Sequence, residues 1–328
     1  MINIEIKIYK ENVNIIKRYA KNLEELQIVT FYAQEFWEEL SDGENPIIFP
    51  AVKKFQYSYL TYCGEFKLNL IFPKIESFQL IGTVTDVNYL ANVKRLKELR
   101  MCIETKSEDK LDHIFENNKN MTRFSIKCPK KMETMHSIAT YLTKLETLHV
   151  SNPGENFFLK ANNYPICKLP SVNHFYIEID GIDDLIDVEN LSFDMPNLKK
   201  LTLKLIQADD RIVNFIKYFE ILEEVEFLAK KYNAIKCIQE LKHIKQFTTN
   251  IYNDDFDSLK EMFDRIDANF KLHTLKIFYY DSWLYETYES KMEKLNKHLN
   301  KPMKPTWTLL HEREREIETS RNFFIFKR

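Results

Sequence analysis

The sequence predicts an α/β solenoid, a curved stack of parallel strands backed by helices, and three observations carry that prediction. A short phrase with apolar residues at its first, fourth and sixth positions, as in Leu198-Lys199-Lys200-Leu201-Thr202-Leu203, recurs along almost the whole chain. Its first apolar residue falls at positions 23, 52, 75, 96, 121, 145, 172, 198, 222, 244 and 272, a step of about 25 residues. Between copies, the chain keeps returning to apolar residues at helical spacing.

The phrase reads as a strand with a turn in front of it. Side chains alternate along a strand, so Leu201 and Leu203 point one way and Thr202 and Lys204 the other. Leu198 enters the buried side from just ahead of the strand, and Pro196 restricts the turn that feeds it. Proline also precedes Val52/Phe55/Tyr57, Ile75/Phe78/Leu80 and Val172/Phe175/Ile177, as Pro50, Pro73 and Pro170. Seven copies keep the spacing without the proline: Leu23/Leu26/Ile28, Leu96/Leu99/Met101, Met121/Phe124/Ile126, Leu145/Leu148/Val150, Leu222/Val225/Phe227, Ile244/Phe247/Thr249 and Leu272/Leu275/Ile277. Thr249 is the imperfect position.

The connections predict amphipathic helices over 86–93, 107–115, 132–141, 212–219, 232–241 and 258–270, with Ser107, Asp209 and Ser258 as N-caps. Strand, turn, helix and turn within one repeat place the strands on a concave inner face and the helices on the convex outer face. Residues 1–9 alternate like the strand of an earlier or capping unit, and 11–20 like a helix. The array begins in mid-rhythm, which leads one to expect an upstream portion in a longer product. Ser151 to Asn156 forms a turn-rich insertion. After Ile277 the rhythm fails: a helix over 285–300 stops at Pro302 and Pro305, and strands over 306–310 and 322–326 flank the charged run 311–318. The expected organisation is a solenoid over 1–280 and a C-terminal helix-and-strand cap over 281–328, with Trp283, Trp307 and Phe323 to Phe326 as an alternative docking site.

Composition narrows the class. With 44% hydrophobic and 29% charged residues, the chain reads as globular, and no apolar run approaches the roughly 18 residues a membrane span needs. Five cysteines (Cys63, Cys102, Cys128, Cys167, Cys237) are odd in number, widely spaced and without a C-x-x-C pair, which predicts reduced thiols in cytoplasm or nucleus. A net charge of −2 with interleaved signs makes no general case for nucleic acid or an acidic membrane. The five glycines build no phosphate loop, and His311-Glu312-Arg313-Glu314-Arg315 lacks the second histidine of a zinc-protease helix. His149 and His174 have no third ligand to make a metal site. The expectation is therefore a non-catalytic protein with no cofactor.

The scaffold's inner surface remains. The outward position of each strand gives the row Gln27, Gln56, Gln79, Arg100, Ser125, His149, Tyr176, Thr202, Glu226, Thr248 and Lys276. Its middle is mainly basic, and Arg123, Lys127, His149, His174, Tyr176 and Lys200 are the expected partner-binding residues, since Arg and Tyr often carry interface energy.

The phrases Phe72-Pro73-Lys74-Ile75-Glu76-Ser77-Phe78-Gln79-Leu80 and Met195-Pro196-Asn197-Leu198-Lys199-Lys200-Leu201-Thr202-Leu203 resemble the irregular intracellular leucine-rich repeats of F-box proteins. The resemblance covers about residues 10–280. It departs from the standard repeat after the strand, where Phe31, Thr83, Pro129, Asp180 and Tyr252 replace the usual Asn or Cys. No F-box is visible near the N-terminus. The resemblance implies a leucine-rich-repeat horseshoe acting as a substrate-recognition module like that of F-box ubiquitin-ligase receptors, with cullin-ligase components reached through an upstream segment. The alternative is a stand-alone inhibitor or immune-type sensor that binds a protein on its concave face.

Overall fold

The computed structural model describes residues 3–7, 16, 18–30, 47–59, 68–84, 87–103, 105–154, 157–158, 165–180, 191–229, 235–238, 240–250, 271–279, 308–315 and 320–327. In chain order the strands are β1 Asn3–Lys7, β2 Glu25–Thr30, β3 Lys54–Tyr59, β4 Ser77–Val84, β5 Glu98–Ile103, β6 Arg123–Lys127, β7 Thr147–Ser151, β8 Cys167–Lys168, β9 His174–Ile179, β10 Phe193–Asp194, β11 Lys200–Leu205, β12 Glu224–Ala229, β13 Gln246–Asn250, β14 Thr274–Tyr279, β15 Thr308–Arg315 and β16 Ser320–Lys327. The helices are α1 Leu68–Ile71, α2 Leu111–Asn117, α3 Glu133–Tyr141, α4 Ile212–Lys217 and α5 Ile235–Ile238.

The chain forms two compact units, Met1–Val172 with Leu191–Met195 and Asn173–Asn190 with Pro196–Arg328. In the first, β1 to β7 pair in parallel in chain order, and β8 and β10 form a separate parallel pair. In the second, β9, β11, β12, β13 and β14 are parallel in that order, β16 runs antiparallel to β14, and β15 antiparallel to β16.

Every copy of the recurring phrase is buried. All eleven triples, Thr249 included, are no more than 4% exposed. Equivalent residues stack from repeat to repeat: Phe55 and Phe78 are register partners with ring centroids 5.7 Å apart. A fourth buried position, three residues ahead of the first apolar one, carries Phe49, Phe72, Leu142, Leu169, Met195, Phe219 and Leu241. At most of these a turn closes with the N–H of the first apolar residue donating to the carbonyl of this fourth position, as from Ile75 to Phe72, 3.3 Å, and from Leu145 to Leu142, 3.0 Å.

Successive repeats are joined by a recurrent pair of hydrogen bonds just before each strand. The carbonyls of Glu24, Lys53, Glu76, Lys97 and Thr122 each accept two consecutive N–H groups from the next repeat, and in the second unit so do those of Asn173, Lys199, Glu223 and Lys245. The side chains of this line alternate in sign in places. Lys97 bonds Glu76 at 2.7 Å and Lys245 bonds Glu223 at 2.7 Å. The lysine partner holds each carboxyl below the usual carboxylate range, Lys97 for Glu76 and Lys245 for Glu223.

Two buried polar side chains in the first unit were not visible as such in the sequence. Asn118 occupies the fourth buried position of its repeat; its Oδ1 accepts the Leu96 N–H at 2.9 Å, and its Nδ2 donates to the carbonyls of Val93 at 2.7 Å and Ile114 at 2.9 Å. Glu108 accepts the N–H groups of Lys130 and Lys131, each at 2.9 Å, and the Thr134 hydroxyl at 2.7 Å, so that it ties the segment leading into α3 to the preceding repeat.

The helical expectations hold in place and fall short in length. The segments at 132–141 and 212–219 form α3 and α4, and 107–115 becomes a 3-10 turn, Thr105–Lys110, followed by α2. The 86–93 segment contains a 3-10 turn, Asn88–Leu90, and within 232–241 the described residues include α5. With so little chain per repeat, a single turn suffices to cross behind the strands. Ser107 is not the cap of α2, whose N-cap Lys110 makes no side-chain capping bond. Asp209 accepts the Arg211 N–H at 2.9 Å, two residues on as a capping side chain does, although the helix itself starts at Ile212 with Arg211 in the N-cap position. The charged run at 311–318 is not a spacer: β15 runs through it to Arg315, because an edge strand tolerates charge that a central strand would not. The expected helices at 258–270 and 285–300, and Trp283 and Trp307, lie outside the described residues. Among the described residues no helix is long and apolar enough to cross a membrane.

Asn118→Ala is expected to destabilise the protein by about 3 kcal/mol, because it strands buried backbone groups of two repeats. Glu108→Ala is expected to cost about 2 kcal/mol, because it leaves the Lys130 and Lys131 N–H groups and the Thr134 hydroxyl without their acceptor. Urea unfolding checks both; a change below about 0.5 kcal/mol in either variant refutes the role given to that residue.

Candidate functional site

The outward row predicted from strand alternation is in register within each unit. In the first, Gln27, Gln56, Gln79, Arg100, Ser125 and His149 are successive Cα partners. In the second, Tyr176, Thr202, Glu226, Thr248 and Lys276 are. One irregularity lies in β4, where the register shifts between Gln79 and Thr83. Gly82 takes φ 136° there, a conformation an L side chain resists.

In the first unit, Arg123 and Lys127 sit two residues either side of Ser125 on β6, both exposed. His149 on β7 is the register partner of Ser125 and is held between two hydroxyls, with Nδ1 3.1 Å from Ser125 Oγ and Nε2 2.8 Å from Ser151 Oγ. A neutral imidazole satisfies this arrangement by donating to one serine and accepting from the other. The fixed ring gives this part of the face a rigid floor, and Ser151 was a partner that the sequence reading had not singled out. It could have been found by register, since it stands opposite Lys127.

In the second unit, His174 and Lys200 are register partners, as are Tyr176 and Thr202. His174 Nε2 lies 3.2 Å from the hydroxyl of the buried Thr202. Burial pushes the His174 imidazole down to about 4, and the Lys200 ammonium adds to the effect. His174 is therefore neutral at physiological pH, and the positive charge of this part of the face is carried by Lys200 and by Lys204, whose Nζ lies 5.0 Å from the centroid of the Tyr176 ring. Glu178 and Lys204 are register partners, and Glu224 stands beside Lys200, so this face is mixed in sign rather than basic.

The structure thus brings Arg123, Lys127 and His149 together in one unit and His174, Tyr176 and Lys200 in the other. Among the described residues, no group of three or more His, Cys, Asp and Glu side chains is placed to hold a metal ion. Buried Cys167 has its thiol pushed up to about 11 by desolvation, so it stays protonated at neutral pH.

No family model and no curated protein matches the chain. Among solved structures, a crystal structure of a Bacteroides fragilis protein matches at 12% identity with a TM-score of 0.33, over 71% of this chain and 68% of that one. A likeness of that extent carries neither fold nor function across.

His174 gives a pH prediction. Its folded pKa lies below the unfolded value, so the unfolded chain binds more protons between about pH 6.5 and 4, and stability falls as pH drops through that window. Replacing His174 by Gln is expected to flatten the slope between pH 6.5 and 4. Equal slopes for the two proteins in denaturant titrations would remove the neutral, buried imidazole from the account.

Proposed function

We propose that this chain is a leucine-rich-repeat protein that acts without catalysis, binding a protein partner on the outward face of its parallel strands. The observation that carries the reading is the division of labour along each strand. One set of alternating residues is sealed in the core, while the other forms rows of mainly polar side chains, in register and partly accessible apart from the buried Thr202 and Thr248, on a backbone that each neighbour holds fixed. A row of that kind offers a rigid, broad and chemically varied surface, which suits recognition of another macromolecule more than it suits a small ligand. The finer reading is a substrate-recognition module like that of F-box ubiquitin-ligase receptors, supported by the resemblance of the Phe72–Leu80 and Met195–Leu203 phrases.

The test is affinity capture with three baits: the intact chain, a face variant with Arg123, His149, Tyr176 and Lys200 changed to Ala, and a control with Asp112, Glu116 and Lys119 of the helical side changed to Ala. The expected result is a partner retained by the intact and control baits and reduced at least about tenfold on the face variant. Cullin-ligase subunits in the retained set support the receptor reading. The same set on all three baits would sink the assignment of the strand face.

A further inference from the structure

We propose that the outward face around Ser125 in the first unit is a binding subsite for a phosphorylated side chain, presented by the protein partner. The inference rests on the reading above that this face binds a protein, and it names the chemistry of one contact.

Strand register builds the subsite. Arg100 on β5 is the Cα partner of Ser125 on β6, which is the partner of His149 on β7, so the three lie on one line across neighbouring strands. Arg123 and Lys127 share the Ser125 face, two residues before and after it. With strands about 4.8 Å apart and about 6.6 Å between alternate residues, all three cations are rooted within about 7 Å of Ser125. Each can reach over it. Arg100, Arg123 and Lys127 are exposed and, among the described residues, take part in no hydrogen bond or ion pair. That differs from Lys54 on the same face, which is paired with Glu25 at 2.8 Å.

Among the described residues of β5, β6 and β7, one acid faces the cluster. Glu98 is the register partner of Arg123, and its Oε2 accepts the Ser77 hydroxyl at 3.0 Å. Three cations and one carboxylate leave two formal positive charges, which matches a phosphomonoester carrying −1.5 to −2 at neutral pH. The serine hydroxyl and the imidazole held by Ser125 and Ser151 add short polar groups at the floor. A nucleic acid would ask for a basic stripe that continues across strands. Here the same line continues into Gln79, Gln56 and Gln27, three neutral amides in register, which suit an extended peptide laid across the strands.

The experiment passes the full chain over beads carrying random nonapeptides with a fixed central phosphoserine, the same library with serine, and single-stranded oligothymidine. Retention on the phosphoserine library is expected to exceed that on the serine library by about tenfold or more, since each charge-assisted bond to phosphate contributes on that scale. The Arg100→Gln/Arg123→Gln/Lys127→Gln variant is expected to lose that preference, and a Lys74→Gln/Lys119→Gln control to keep it. Should the triple variant fail to fold, each single variant is expected to reduce the preference on its own. Equal retention on the two peptide libraries, or a preference that survives in the folded variants, overturns the proposal. Equal retention on oligothymidine overturns it in favour of a general polyanion site. If the phosphate preference is absent while partner capture still depends on Tyr176 and Lys200, the protein-binding reading stands and only the phosphate subsite falls.

Discussion

One backbone carbonyl per repeat sets the register on which the rest depends. Just ahead of each strand, a carbonyl such as that of Glu76 accepts two consecutive N–H groups of the next repeat, from Lys97 at 2.7 Å and Glu98 at 3.1 Å. Register carries unusual weight in such an array, because a slip of one residue would turn every buried leucine outward and every polar residue inward. The double acceptance anchors the strand at its entry, where the turn has already placed the first apolar side chain. Charge then reinforces it from outside: Lys97 on Glu76 and Lys245 on Glu223 join the same residues whose backbones carry the bonds. Such exposed pairs are individually weak, so their contribution is to bias register rather than to hold the fold.

The buried triples were legible because their signal is periodic and because period two admits one burial pattern only. Thr249 shows how far tertiary context can override a residue: it holds a fully buried position with its hydroxyl 3.4 Å from the Asn250 carbonyl. Asn250 beside it pairs with both backbone groups of Ala229, at 2.9 Å and 2.8 Å, and so stands in for a strand neighbour. The fourth buried position was hidden by its own variety. Phe, Leu and Met share it with Asn118, and an asparagine there reads as a turn residue until its three partners are known. Glu108 was hidden for a different reason. Its partners lie more than twenty residues away, across a repeat boundary, where local sequence carries no information about it.

The candidate face was half legible for the same physical reason. Alternation placed Arg123, Lys127, His149, His174, Tyr176 and Lys200 on the outward side correctly, since that follows from period alone. It could not distinguish a charged imidazole from a neutral one. His174 stands over Thr202 and beside Lys200, and both desolvation and the like charge remove its proton. Nor could residue type separate cations that are already spoken for from those that are free. Lys54 and Arg123 look equivalent in the sequence, yet only the first is ion-paired with the carboxylate of its register partner: Glu25 bonds Lys54, whereas Glu98 opposite Arg123 accepts the Ser77 hydroxyl instead.

That distinction bears on how such a face acquires a specificity. In a stacked array each repeat depends on its immediate neighbours, and the outward residues contribute little to those contacts beyond local pairing. An outward cation with a partner, like Lys54, strengthens the junction between two repeats and offers less to a ligand. An outward cation without one stays fully hydrated and exerts its field on whatever approaches. Clustering three of the second kind around a serine and a locked imidazole brings a self-repulsion that a solenoid can carry, because the cost is confined to two junctions while the core triples beneath, such as Leu99, Phe124 and Leu148, remain fully buried. The same separation between core and face means that, on the phosphate-subsite proposal, changes at Arg100, Arg123 or Lys127 are expected to act on recognition and to leave the register beneath them intact.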